Sequence, residues 1–196
     1  MINVLQMVFS PSAGWQRVAL ARPGILKVLF LCLVPLLSVV SLAEGCALVH
    51  WGNKFGEFTA ARPLPLDLVV RYEATYFVLA LLVAFGGAVA LGRIAAGSEV
   101  PTTYSDCFAT VTLGLSPIYF VRLLDSLPTL NTWLCWSIGA LLAWRSLYHG
   151  VALVLKPDHT KGFGLYLLSA LVLLLLSALI HFMALSVLLK NVVLPF

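Results

Sequence analysis

Charge is what this chain has least of. Only 10% of its 196 residues are Asp, Glu, Lys or Arg, against about 25% in soluble domains. Twelve basic and eight acidic groups cannot clothe the surface of a water-exposed globule of this size. An ordinary cytosolic enzyme is excluded, and so are a disordered and a fibrous chain. Consecutive basic residues are missing altogether, so the counterion release that drives nucleic-acid binding has no footprint. The four cysteines, Cys32, Cys46, Cys107 and Cys135, form no CxxC pair, and three of them lie in apolar stretches where Cys acts as a small hydrophobe. Neither a structural disulfide nor a metal cluster is expected.

Enzyme signatures are missing as well. There is no HExxH, no GxSxG, no phosphate-binding Walker loop and no close carboxylate pair of the kind metal-assisted hydrolysis uses. Asp158-His159 reads as a solvated turn. No catalytic residue, cofactor or metal is assigned. A cleavable signal is not expected either, because Met1–Phe9 carries no Lys or Arg and the first long apolar run begins only near Ile25.

What is present is apolar: 61% of the residues, with a mean hydropathy of +1.02. Spans of about 20 residues are expected near 25–48, 72–95, 105–124, 128–153 and 163–189. The expected architecture is an all-α integral membrane protein: an interfacial segment, 1–24, followed by a five-helix transmembrane domain, 25–196. In the first segment Ser10-Pro11 starts a helix and Arg22-Pro23-Gly24 ends it. Trp15, Arg17 and Arg22 are expected to anchor that helix at headgroup level. Pro35 and Pro117 interrupt the first and third spans, where a proline permits a kink. The loop near 50–70, with Trp51, Lys54, Glu57, Arg62, Pro63, Pro65 and Asp67, reads as the longest water-facing excursion.

Ala84, Ala88 and Gly92 recur every four residues in the second span, with Gly86 and Ala90 alongside. Small residues at that period let two membrane helices approach closely, so this face is expected to pack helices or a second copy of the chain. Lys and Arg counts set the orientation. Seven (Arg17, Arg22, Lys27, Arg93, Arg145, Lys156, Lys161) fall on the N-terminal side and five (Lys54, Arg62, Arg71, Arg122, Lys190) on the other. A cytoplasmic N-terminus and a periplasmic C-terminus follow.

Ionisable groups within spans are functional candidates, because each costs about 2.5–3.5 kcal/mol at the bilayer centre. His181 is the deepest, and a hydrogen bond to another helix would hold it as well as a relay role would. Arg145 and His149 share a face with Tyr148. Arg122 and Asp125, three residues apart, suit a local ion pair. Asp106 lies about 24 Å from Arg122 along the same helix and needs a partner from elsewhere, such as Arg93. Glu44 falls near the far end of the first span.

The order of these features resembles one family. Phe9-Ser-Pro-Ser-Ala-Gly-Trp15-Gln-Arg17 before the first span is similar to the opening of Yip domain proteins (Ypt/Rab-interacting membrane proteins). Bacterial members of that family often begin with a Pro-x-x-x-Trp segment. Tyr104 and Pro117 resemble the family's Tyr and mid-span Pro in the third span. Tyr148-His-Gly150 through Lys161 resembles its exit from span four. The length is similar to that of the bacterial inner-membrane YohC-like branch. The resemblance implies five spans, a cytosolic N-terminus and no established enzymatic activity. Eukaryotic members, which carry a long soluble N-terminal extension, act in vesicle traffic through Rab GTPases and through each other. Two functions are therefore expected to compete. One is a non-enzymatic role in organising the lipid bilayer or partner membrane proteins, self-association included. The other is transport of a small solute, ion or lipid through Asp106, Arg122, Arg145 and His181.

Overall fold

A computed structural model describes residues 7, 10–52, 63–127 and 130–193, with the side chains of 159–160 and 189–193 left out. Every regular element among the described residues is helical. A short helix, α1 (Pro11–Ala21), precedes five long ones: α2 (Ile25–His50), α3 (Leu66–Gly97), α4 (Tyr104–Val121), α5 (Thr132–Gly150) and α6 (His159–Val193). All five are long and apolar enough to cross a bilayer. The expected five-span helical bundle is the observed architecture. The segments 1–6, 8–9, 53–62, 128–129 and 194–196, which hold part of the expected long loop, Phe9 of the N-terminal motif and the expected start of the fourth span, lie outside the described residues, as does the side chain of Lys190. Where the boundary is described, α3 begins at Leu66, six residues before the expected start. Pro65 sets extended backbone just ahead of it, and Asp67 favours its positive N-terminus.

α4 is the axis of the bundle. Of its most apolar 18-residue stretch 83% is buried, against 28–44% for the other four spans. Its sequence explains this, since Cys107, Ala109, Thr110, Thr112, Gly114 and Ser116 are small enough to let neighbours close on every side. A Cβ on Gly114 would stand 2.3 Å from Leu147 Cδ2 of α5, and one on Gly139 of α5 would stand 2.8 Å from the Ile118 backbone of α4. Gly87 of α3 plays the same part against Leu173 and Val111. At Gly139 the neighbouring backbone itself comes to a distance that only glycine tolerates, whereas Gly87 and Gly114 leave room for leucine and valine side chains.

The two membrane prolines are accommodated differently. Pro35 cannot donate to the carbonyl of Leu31, and the helix widens to a π-helical turn over Leu29–Leu33 just before it. Pro117 leaves the carbonyl of Leu113 without its amide partner. The Ser116 hydroxyl donates to that carbonyl at 2.7 Å, so α4 runs through its proline as one helix. A second π-helical turn, Val151–Leu155, ends α5.

One expectation about a surface is corrected and another is made more specific. α1 is amphipathic, with Pro11, Gly14, Trp15 and Val18 on one side and Gln16 and Arg17 on the other. Its apolar side faces protein rather than headgroups. Trp15 is 0% exposed, its indole N–H donates to Ser146 Oγ of α5 at 3.1 Å, and its ring lies where a Cβ on Gly150 would be. Arg17 stays on the exposed side, and Arg22 closes α1 in the left-handed region at φ 37°. Likewise, Ala84 and Ala88 are buried inside the bundle, and Gly92 lies 3.8 Å, measured from an ideal Cβ, from Cys107 Sγ of α4. The small-residue face of α3 thus packs inside the bundle, the first of the two uses expected of it. Gly86 and Val89, on the next stripe, face outward.

This packing yields a contrast. Gly139→Leu is expected to lower stability by about 1–3 kcal/mol or more, read as a fall in the detergent melting temperature. Gly86→Leu, with nothing within 4 Å of its Cβ position, should melt like the parent. Equal melting of the two variants would contradict the close approach of α4 and α5.

Candidate functional site: a polar cluster shared by five spans

The connectivity alone brings distant residues to one level of the bundle. In antiparallel spans, the far ends of the first, third and fifth lie beside the near ends of the second and fourth. Glu44 is six residues from the end of α2 and Glu73 seven residues into α3. Arg122 opens the 3-10 turn Arg122–Ser126 that extends α4. Thr132 starts α5, and His181 lies late in α6. The structure draws all five into one buried cluster.

Arg122 is its centre, at 3% exposure. Its Nε lies 2.7 Å from Glu44 Oε2, and its Nη2 donates to Glu73 Oε2 at 2.9 Å. One guanidinium thereby ties α2, α3 and the end of α4. Tyr72 adds a hydrogen bond from its hydroxyl to Glu44 Oε1 at 2.9 Å. The guanidinium also stacks over the Tyr76 ring, 3.6 Å from its centroid, a cation–π contact worth about 2 kcal/mol when desolvated. Arg suits this place because its planar fork serves two carboxylates and an aromatic face at once, which a Lys ammonium would not.

A second chain of bonds leads outward from the same level. The Thr132 hydroxyl donates to Asp125 Oδ2 at 3.1 Å and lies 3.3 Å from His181 Nε2. With that hydroxyl committed to Asp125, the Thr132 oxygen accepts from His181, which sets the Nε2–H tautomer. His181 is 2% exposed and meets the Trp133 ring edge-on at 4.8 Å. Trp136 closes the wall by donating from its indole to Ser177 Oγ at 3.2 Å. Between Tyr76, Ile118, Arg122, Asp125, Trp136 and His181 remains a space of only about 10 Å³, at the lower limit for one water.

Of the residues singled out by sequence, Arg122, Asp125 and His181 come together, but not as expected. The local Arg122–Asp125 ion pair does not form, because Arg122 turns to Glu44 and Glu73 and leaves Asp125 to Thr132. The bond that holds His181 to another helix is the one to Thr132. Asp106 is at the other end of α4, where its carboxylate accepts from the Thr103 hydroxyl at 2.7 Å, and Arg93 is not its partner. Arg145 is exposed, and His149 packs on Tyr148 with ring centroids 5.5 Å apart. Tyr148 and His149 belong to an aromatic patch with Tyr166 and Trp144, away from the cluster. Glu73, Tyr72 and Tyr76 were not singled out. The signal for them was the topological level shared by Glu44, Glu73 and Arg122. Among the described residues, no group of three or more His, Cys, Asp or Glu side chains is arranged to hold a metal.

Breaking one partner of a buried ion pair leaves an uncompensated charge, a loss of about 3–5 kcal/mol. Arg122→Met is therefore expected to unfold or strongly destabilise the protein in detergent. Combining it with Glu44→Gln and Glu73→Gln should restore much of the melting temperature. A triple variant no more stable than Arg122→Met would refute the bridge as the cause. Comparison of the chain with protein families, with curated proteins and with solved structures found no match.

Proposed function

We propose that this multi-pass membrane protein is non-enzymatic and acts by organising membrane lipid or partner proteins rather than by conducting a solute. The observation that carries this reading is the closure of the space between Arg122 and His181; the cavity of about 490 Å³ that reaches Glu73 lies between α2 and α3 and is walled mostly by apolar side chains. Five helices converge on Arg122 and His181, yet the space between them holds at most one water. Glu44, Glu73 and Arg122 pair with one another across helices, which is how a bundle is fixed in shape. The resemblance to Yip domain proteins supports the same reading, with a place in the bacterial inner membrane. The Lys/Arg bias supports a cytoplasmic N-terminus.

A transporter is the second reading, and one observation favours it. Two carboxyl groups (Glu44, Glu73) share a single guanidinium, and a third, Asp125, is linked to His181 through the Thr132 hydroxyl. Intramembrane carboxylate–histidine chains are the usual material of proton relays.

Proteoliposomes separate the two. Purified protein is expected to raise proton flux, potassium flux and scrambling of a fluorescent phospholipid no higher than protein-free vesicles do. Flux or scrambling above that background, abolished by Glu73→Gln or His181→Ala in folded protein, would replace the organising role with transport.

A further inference from the structure

The opposite end of the bundle carries a second set of charged groups that the central cluster does not use. There the α1–α2, α3–α4 and α5–α6 connections meet, and a cavity of about 400 Å³ opens between them. That is within the size range of small-ligand pockets, about 300–1,000 Å³. Arg22, Thr102, Thr103, Asp106 and Lys156 line it, with Val154 among its apolar walls. One wall is fixed by the Ser105 hydroxyl, which donates to the Pro23 carbonyl at 3.2 Å and clamps the α1–α2 turn to the start of α4.

The charges in this cavity are of both signs and do not neutralise one another. Among the described residues, neither Arg22 nor Lys156 forms an ion pair, with Asp106 or with anything else. The Asp106 carboxylate has a neutral partner, the Thr103 hydroxyl. By contrast, the neighbouring Lys161 and Glu99, on the same side of the bundle, do close on each other. Two cations and one anion held apart around a cavity match a ligand that carries both signs itself. Its anion would lie between Arg22 and Lys156 and its cation against Asp106.

We infer that this cavity binds a phosphoethanolamine headgroup, with the phosphate on Arg22 and Lys156 and the primary ammonium on Asp106. Charge-assisted hydrogen bonds supply both contacts. Basic pockets between membrane helices are established sites for phosphate-bearing headgroups, and here the acidic residue adds selection for the amine. The depth points to a membrane lipid as the source. The cavity lies where apolar helices give way to connecting turns, the level of the headgroups, and Val154 and Leu155 at the end of the fourth span form its apolar wall. The inference rests on the membrane-organising reading, and the two fail separately. Solute flux would overturn that reading, whereas unselective lipid retention would overturn this one.

The test is native mass spectrometry of the full chain in mild detergent with equal amounts of phosphatidylethanolamine, phosphatidylcholine and phosphatidylglycerol. The parent should retain the ethanolamine lipid preferentially. Arg22→Gln with Lys156→Gln should lower retention of all three lipids about tenfold, the change expected from about 1.4 kcal/mol of lost charge-assisted bonding. Asp106→Asn should erase the preference over phosphatidylcholine while leaving phosphatidylglycerol retention undiminished. Thermal melting of each variant in the same detergent controls for folding. Equal retention of the three lipids by the parent, a preference for phosphatidylglycerol, or variants that retain lipid as the parent does would each overturn the site. Competition by soluble glycerophosphoethanolamine at the lipid's own concentration would overturn the lipid as its source.

Discussion

A guanidinium held between two carboxylates in a desolvated core is the constraint on which the arrangement of the spans depends. Each of these ions alone would cost several kcal/mol to bury. Together, with the Tyr72 hydroxyl on Glu44 and the Tyr76 ring under Arg122, they offset much of one another's charge, while Glu73 Oε1 and Arg122 Nη1 stay buried without a hydrogen-bond partner. Sliding α2, α3 or α4 by one turn would separate charges by about 5.4 Å in a medium of low dielectric, where the loss is large. Apolar side chains cannot enforce register in this way, since lipid tails are as apolar as leucine. The net contribution to stability is modest, because desolvation offsets much of the attraction. The contribution to uniqueness is large.

Around that fixed level, close packing does what the hydrophobic effect does in water. Gly139 brings the backbones of α4 and α5 together, Gly87 and Gly114 make room for side chains of neighbouring helices, and α4 becomes the buried axis. Trp15 extends the same logic beyond the spans. Its ring fills the notch at Gly150, and its indole N–H finds Ser146, so α1 is part of the bundle. α1 and the ion bridge lie toward opposite ends, so the helices are pinned at two heights.

The span count and the architecture were legible in the sequence because twenty charges among so many apolar residues leave few other readings. The cluster was half legible. His181 and Arg122 stood out as ionisable groups in apolar runs, whereas Glu73 lay close enough to the expected span start to read as an edge residue. The reason is that α3 begins at Leu66 rather than near 72, which places Glu73 two turns inside the helix. Trp15 illustrates the opposite difficulty. An amphipathic helix rich in Trp and Arg has the same pattern whether its apolar stripe meets lipid or protein. Only the matching notch, a glycine 135 positions later, distinguishes the two. Similarly, the four-residue repeat of Ala84, Ala88 and Gly92 specifies close packing without naming the partner helix.

The order of the charges along the chain bears on how the protein enters a membrane. Glu44, Glu73 and Arg122 belong to the first three spans, and N-terminal segments emerge first during synthesis. The bridge can therefore be complete while α5 and α6 are still unmade. Arginine, the one of the three that cannot shed its charge, arrives last, when both of its acceptors are already in place. α5 and α6 then add Thr132 and His181 to a polar centre that already exists. In this sense the first three helices act as a preassembled template, and the remaining two complete its enclosure.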